Sequence, residues 1–315
     1  LSIYKIEIPT PYDVGDVNAF VVKGDALTIF DVGPKTMEAY DALKWGIRAA
    51  GFDMRDIEQV VLTHHHPDHA GWVDAFPNAE ILGHAYNDKW LRHDEDFLRY
   101  HVQFYSERLF EHGVPQQYIQ PSVHVRREIE LVGERPLTQI LNDGDEVPGH
   151  PGLKAIETLG HAQSHLIYWD EKTHQVIGGD LLLEKITPNP LIEPPLDRTL
   201  GRTKSLLQYN ESLEILRRLP VKKMYTGHGA ELENIHDLID KRLERQHQQS
   251  LKVCELFGDE SLTTVQVTKR FYPAIFQRQL GLTLSKTLGY LDYLEANNFI
   301  TSTKTEEGIY LFQRK

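Results

Sequence analysis

Strand and helix signals alternate along this chain of 315 residues in the manner of an α/β fold, with two sheets covered by helices. Three observations predict it. Short apolar runs of strand type alternate with stretches of helical spacing. Residues able to ligate metal stand directly after several of those apolar runs. Near Asp240 the composition shifts, and a polar helical stretch opens what reads as a separate C-terminal module.

Residues 16–33 read as a hairpin, with strands at 19–22 and 27–30 around Lys23-Gly24-Asp25. Residues 37–50 have helical spacing and Gly51 stops them. Residues 60–63 form a short, fully apolar strand; after it, Ala70 and Gly71 permit a helix to pack closely on that strand, with Asp68 near the helix start where a carboxylate is favoured. A strand-like run covers 79–82. Further on come a strand at 154–158, a hairpin over 166–178 turning at 170–173, a helix at 203–219 and a strand at 223–226.

Residues 60–72 read VVLTHHHPDHAGW and hold the densest chemistry. His64 and His66 lie two apart, so an extended backbone points them the same way, and a turn at Pro67 brings Asp68 and His69 alongside. Imidazoles and a carboxylate suit zinc, and also iron or manganese; the missing thiolates argue against a closed structural zinc site. Three more segments place a ligand type after an apolar run: Thr158-Leu159-Gly160-His161, Ile177-Gly178-Gly179-Asp180 and Thr226-Gly227-His228-Gly229. Alternation sends His65 away from its neighbours into an outer role. His84 reads as a surface histidine, His165 as a hydrogen-bonding support for a ligand, and Asp31 as a similar support or a turn residue.

This ordered series, with Asn18-Ala19-Phe20 and Phe30-Asp31-Val32-Gly33 before it, resembles the metallo-β-lactamase superfamily over roughly residues 1–235. The resemblance implies an αββα sandwich holding two divalent metal ions, Zn2+ or in its place Fe or Mn. Carried over position by position, His64, His66 and His161 hold one ion, Asp68, His69 and His228 the second, and Asp180 bridges them. Gly71-Trp72 stands where the family commonly has Gly-Gly, Ala162-Gln163-Ser164 where it has Thr-Pro-Gly, and Thr226 where it has Pro. None of these departures removes a ligand; they alter the pocket rim.

Two segments frame the expected site. Residues 87–128 read as two inserted helices rich in Tyr, Phe and His, either packed on the body or forming a lid over the metals. The loop 187–195 carries Pro188, Pro190, Pro194 and Pro195 and makes a stiff opposite rim. Residues 1–239 are thus expected to form the catalytic domain and 240–315 a winged-helix module, with helices at 241–256, 263–271 and 282–296 and a wing around 308–312. The module is similar to that of the β-lactamase-like protein 2 endoribonucleases. The reader position falls on 283–296, whose exposed side is expected to offer Lys286 against Asp292 and Glu295, so packing on the body or a homodimer contact is favoured over nucleic acid.

Net charge is −12, which disfavours broad nucleic-acid binding. The single cysteine, Cys254, excludes an internal disulfide, and no apolar run reaches membrane-spanning length, so a cytoplasmic protein is expected. Two cations sharing a carboxylate imply a hydrolase whose nucleophile is a bridging hydroxide, with Asp68 relaying a proton. The run from Thr63 to Gly71 is similar to that of glyoxalase II enzymes, which implies a small ester, thioester or lactone as substrate. The C-terminal module keeps open a phosphodiesterase acting on single-stranded RNA, and a nucleic-acid-binding or docking protein with the metal site as sensor. An iron-dependent oxidase of sulfur compounds also fits the ligand types.

Overall fold

The computed structural model describes residues 2–122, 125–276 and 278–315. In chain order the regular elements are β1 (Ser2–Ile8), β2 (Val17–Lys23), β3 (Leu27–Phe30), α1 (Met37–Ala49), β4 (Gln59–Val61), α2 (Pro67–Ala70), β5 (Glu80–Gly83), α3 (Ala85–Leu91), α4 (Glu95–Glu111), α5 (Gln116–Ser122), α6 (Arg126–Ile129), β6 (Gln139–Ile140), β7 (Leu153–Glu157), β8 (Leu166–Asp170), β9 (Gln175–Ile177), α7 (Ser205–Arg218), β10 (Lys223–Tyr225), α8 (Ile235–Glu255), α9 (Thr264–Phe271), α10 (Leu280–Ala296), β11 (Ile300–Lys304) and β12 (Tyr310–Arg314).

One sheet has the order β1-β2-β3-β4-β5-β6 and the other β10-β9-β8-β7, while β11 and β12 pair by themselves. Strand alternation sorts side chains between layers. From β2, Phe20 and Val22 enter the core between the sheets, whereas Ala19 and Val21 face α1. From β8, Leu166 and Tyr168 enter the same inter-sheet core, and Ile167 and Trp169 face α7 and the C-terminal helices. The inner strands β2, β3, β4 and β8 are buried on both faces, which explains why they read as apolar runs rather than alternating ones. The Tyr168 hydroxyl donates to the Leu62 carbonyl at 2.7 Å, tying the two sheets together beside the site.

β3, β4 and β5 run parallel, so their C-terminal ends share one rim, and β9 and β10 run parallel in the second sheet. The two rims are stitched by backbone hydrogen bonds, Leu166 N–H to Thr63 O at 2.8 Å and Asn18 N–H to Gly227 O at 2.6 Å. Loops that follow β4, β7, β9 and β10 therefore converge.

Two expectations need correction, the two-helix insertion and the exposed charges of the C-terminal helix, and two details are added. The edge strand β1 has only Ile6 and Ile8 buried, so it carries no continuous apolar run. The helix after β4 is a single turn, and Gly71 is needed for contact with the 33–35 loop, where a Cβ would lie 2.3 Å from the Lys35 amide nitrogen. The insertion begins at Ala85 and holds four helical segments rather than two: Asp94 starts a new helix by accepting from Phe97 N–H at 2.9 Å, and Gly113, at φ 88°, ends it. Finally, α10 has no free reader face. It is apolar on most sides and packs against α7, α8 and α9, with Asp292 buried and Lys286 set in a crevice beside Thr187, Pro188 and Gln246.

The expected division at residue 240 falls inside α8, whose Ile235 and Ile239 join one apolar cluster with Trp169, Leu213, Leu288 and Phe312. Among the described residues, no helix is long and apolar enough to cross a membrane.

Candidate metal centre

The segment after β4 stays extended through His64 and His66, so both rings turn inward, with His64 Nε2 and His66 Nδ1 2.9 Å apart. His161, from the loop after β7, closes a group with them in which the facing atoms all lie within 4.8 Å. A second such group joins Asp68 and His69, on α2, to His228, after β10. Asp180, after β9, stands between the two: Oδ1 is 3.5 Å from His69 Nε2, and Oδ2 is 3.6 Å from His161 Nε2 and 3.5 Å from His228 Nε2. All seven residues predicted from the sequence are brought together.

The outer nitrogens of these rings are anchored. His69 Nδ1 donates to Asp31 Oδ2 at 2.8 Å, His161 Nδ1 to the Asn189 carbonyl at 3.1 Å and His228 Nδ1 to the Asp16 carbonyl at 2.8 Å. Thr63 Oγ1 gives its proton to Asp31, so it accepts from His64 Nδ1 at 3.0 Å. Because carbonyl and carboxylate oxygens only accept, each of these bonds fixes a tautomer and aims Nε2 at the centre. There, His69 Nε2, His161 Nε2, His228 Nε2 and Asp180 Oδ1 are buried and lack any hydrogen-bond partner. Buried polar atoms are nearly always satisfied, so this convergence fits divalent cations and not a structural polar core.

Electrostatics agree. Burial opposes a charge on His69, but Asp31, Asp180 and Asp68 outweigh it and hold its proton affinity well above the ordinary imidazole range. His228 is raised in the same way, with Asp180 and Asp68 overcoming burial. His64 and His161 go down, through burial and then their imidazole neighbours, His161 to about 4. Asp180 stays well below the usual carboxylate range, since His228 and His69 override its burial. The pocket is built to keep positive charge between fixed carboxylates.

Asp31 and His165 act as supports, His84 is part-buried rather than a surface histidine, and one residue is added. Asp31 accepts from Thr63 N–H as well as from His69, and adopts φ 58° to do so. His165 accepts from the Asp180 amide at 3.1 Å through Nε2, thereby holding the backbone that presents Asp180. His84 is the N-cap of α3 and lies 3.3 Å from Glu157. His65 stacks on Trp90 at 4.9 Å between ring centroids, and its Nε2 is 3.1 Å from Glu193. Glu193 was not foreseen. Its Oε1 is also 3.7 Å from His66 Nε2, and its Oε2 accepts from Gln163 N–H at 2.6 Å, so it ties its own loop to the loops after β4 and β7. A charged residue between Leu191-Ile192 and Pro194-Pro195 in a stiff apolar loop was the available signal.

The Metallo-beta-lactamase superfamily profile matches residues 12–228. The chain belongs to that superfamily. It is 38% identical over 302 residues, 96% of this chain and 94% of the relative, to the probable metallo-hydrolase YqjP of Bacillus subtilis (strain 168). The beta-lactamase-like protein 2 homolog of Caenorhabditis elegans is 23% identical over 270 residues, 84% of this chain and 73% of that one. Among solved structures, the metallo-beta-lactamase family protein TTHA1429 from Thermus thermophilus superposes with a TM-score of 0.80 at 23% identity, covering 99% of this chain and 98% of that chain; it shares the fold. Superfamily membership and the 38% relative support a metal-dependent hydrolase.

Proposed function

We propose that this protein is a dinuclear metal-dependent hydrolase of small esters, thioesters or lactones, with residues 1–239 as the catalytic domain and 240–315 as an attached winged-helix-like module. The observation that carries the reading is the set of buried, partnerless nitrogens on His69, His161 and His228 facing one carboxylate, Asp180. His64, His66 and His161 hold one cation, Asp68, His69 and His228 the other, and Asp180 lies between them. Two divalent cations, Zn2+ or in its place Fe or Mn, would when bound supply Lewis-acid polarisation of the substrate oxygen and acidify water at neutral pH.

The rest is the work of the chain. Asp68 lines the cavity outside the centre, and His69 and His228 override its burial to keep it ionised. It takes a proton from the attacking water as the water oxygen bonds to the acyl carbon. When the bond to the leaving oxygen or sulfur breaks, that proton passes to the leaving group. Asp31, Asn189 and Asp16 hold the imidazoles in register, and Glu193 fixes the loop that closes one side.

Metal analysis and turnover of the reconstituted protein test this together. Two equivalents of metal and hydrolysis of thioesters or lactones are expected, and Asp180→Asn loses most turnover and part of the metal. Near-wild-type turnover of that variant at full loading overturns the Asp180 assignment.

A further inference from the structure

From Asp68 and His66 a cavity of about 410 Å³ runs between α4 and the first turns of α10. Its acidic side chains are Asp68, of the candidate metal centre, Glu193, held against His65, and Glu128, whose carboxyl burial pushes up to about 7; among the described lining residues there is no Lys or Arg. A substrate that carries phosphate or carboxylate away from the metal centre would find no Lys or Arg among the described lining residues to pair with it. Most of the wall is apolar or aromatic, from Trp90 and Tyr105 on one side to Leu282 on the other, and Leu282 remains 46% exposed at the chamber edge.

Two polar atoms interrupt this surface. Trp90 and His101 stand with ring centroids 5.3 Å apart, and both line the chamber. Trp90 Nε1 and His101 Nδ1 are buried with no hydrogen-bond partner. Burial also pulls the His101 imidazole down to about 4, so it is neutral at pH 7 and adds no positive charge. Both atoms are closed to solvent although their residues line the chamber, and an acceptor supplied by a ligand would satisfy groups that are costly to leave unpaired.

We propose that this chamber binds the acyl part of the substrate, and that this part is uncharged and largely apolar, lies against Tyr105 and Leu282, and carries one oxygen that meets Trp90 and His101. The proposal rests on the acyl-hydrolase reading and makes the start of α10 a specificity element of the catalytic site. It accounts for the C-terminal helix being packed inward rather than offered to a groove.

Calorimetric titration of the metal-loaded protein with amides, which resist turnover, tests binding apart from catalysis. Octanamide is expected to bind at least about tenfold more tightly than acetamide and than suberic acid monoamide, its equal in length but ending in carboxylate. Leu282→Lys, a change at a half-exposed position, narrows or reverses the second preference. Within a series of hydroxyoctanamides one position is favoured over octanamide, and Trp90→Phe and His101→Phe each abolish that preference. Equal affinity for the neutral and anionic amides, or affinities indifferent to Leu282→Lys, overturns the proposal. A parallel turnover assay with p-nitrophenyl octanoate and bis(p-nitrophenyl) phosphate separates the two levels: cleavage of the phosphodiester alone overturns the acyl-hydrolase reading, whereas the amide titrations judge the chamber by themselves.

Discussion

The carboxylate of Asp31 accepts a hydrogen bond from Nδ1 of His69 at 2.8 Å while also holding the amide and hydroxyl of Thr63, so one buried residue at the end of β3 sets the orientation of two segments of the centre. Asn tolerates the left-handed backbone that Asp31 adopts, so Asp31→Asn removes the charge without straining the chain. Metal affinity should fall about 10- to 100-fold. Competition with a chelator of known affinity checks this, and unchanged affinity would assign Asp31 to the turn alone.

Gly227 brings the backbone against the centre, where a Cβ would collide with Asp180 Oδ1 and stand 2.9 Å from His69 Cε1. Gly227→Ala should therefore lose metal binding and turnover together, while Gly201→Ala, with nothing within 4 Å, should leave both intact. Metal content measured on the two purified variants decides it.

Arg202 clamps Asp292 with two hydrogen bonds, at 2.6 and 2.7 Å, joining the loop before α7 to α10. Asp292 is only 2% exposed. Arg202→Met strands that buried carboxylate and should cost about 3 kcal/mol, and adding Asp292→Asn should return part of the loss. Urea denaturation of the single and double variants measures both; a loss within error of zero would show that water reaches Asp292.

His112 caps α4, bonds to Thr264 Oγ1 at 2.9 Å and stacks on Tyr310. Burial first, then Arg202, Arg108 and Lys304, lowers its imidazole from 6.5 to about 3. Between those values the unfolded chain takes up a proton that the folded chain refuses, so His112 makes stability decline as pH falls through the window and contributes no slope above it. In His112→Asn the decline over that window should be shallower than in the wild type. Denaturant midpoints across the acid range provide the comparison, and parallel curves would remove His112 from the account.

The seven groups of the centre were legible because the periodicity of an extended chain is local: His64 and His66 must share a face wherever the segment sits, and each apolar run announces the strand whose end carries the next group. The sandwich followed from the same alternation of runs and helical spacing. Other features arose only when distant segments met. The outer nitrogen of His228 finds the carbonyl of Asp16, 212 residues away, and a backbone carbonyl has no signature in the sequence. Glu193 becomes a brace for His65 only after the proline-rich loop folds across β4. The helix at the expected reader position packs inward because its apolar surface extends nearly around it, and that surface is buried on α7, α8 and α9. The sequence by itself offered the residue types that follow each strand, and the family resemblance grouped them; the tertiary structure decided which atoms face inward, what holds them in place and what encloses the cavity beside them, because those contacts join positions whose spacing along the chain carries no period.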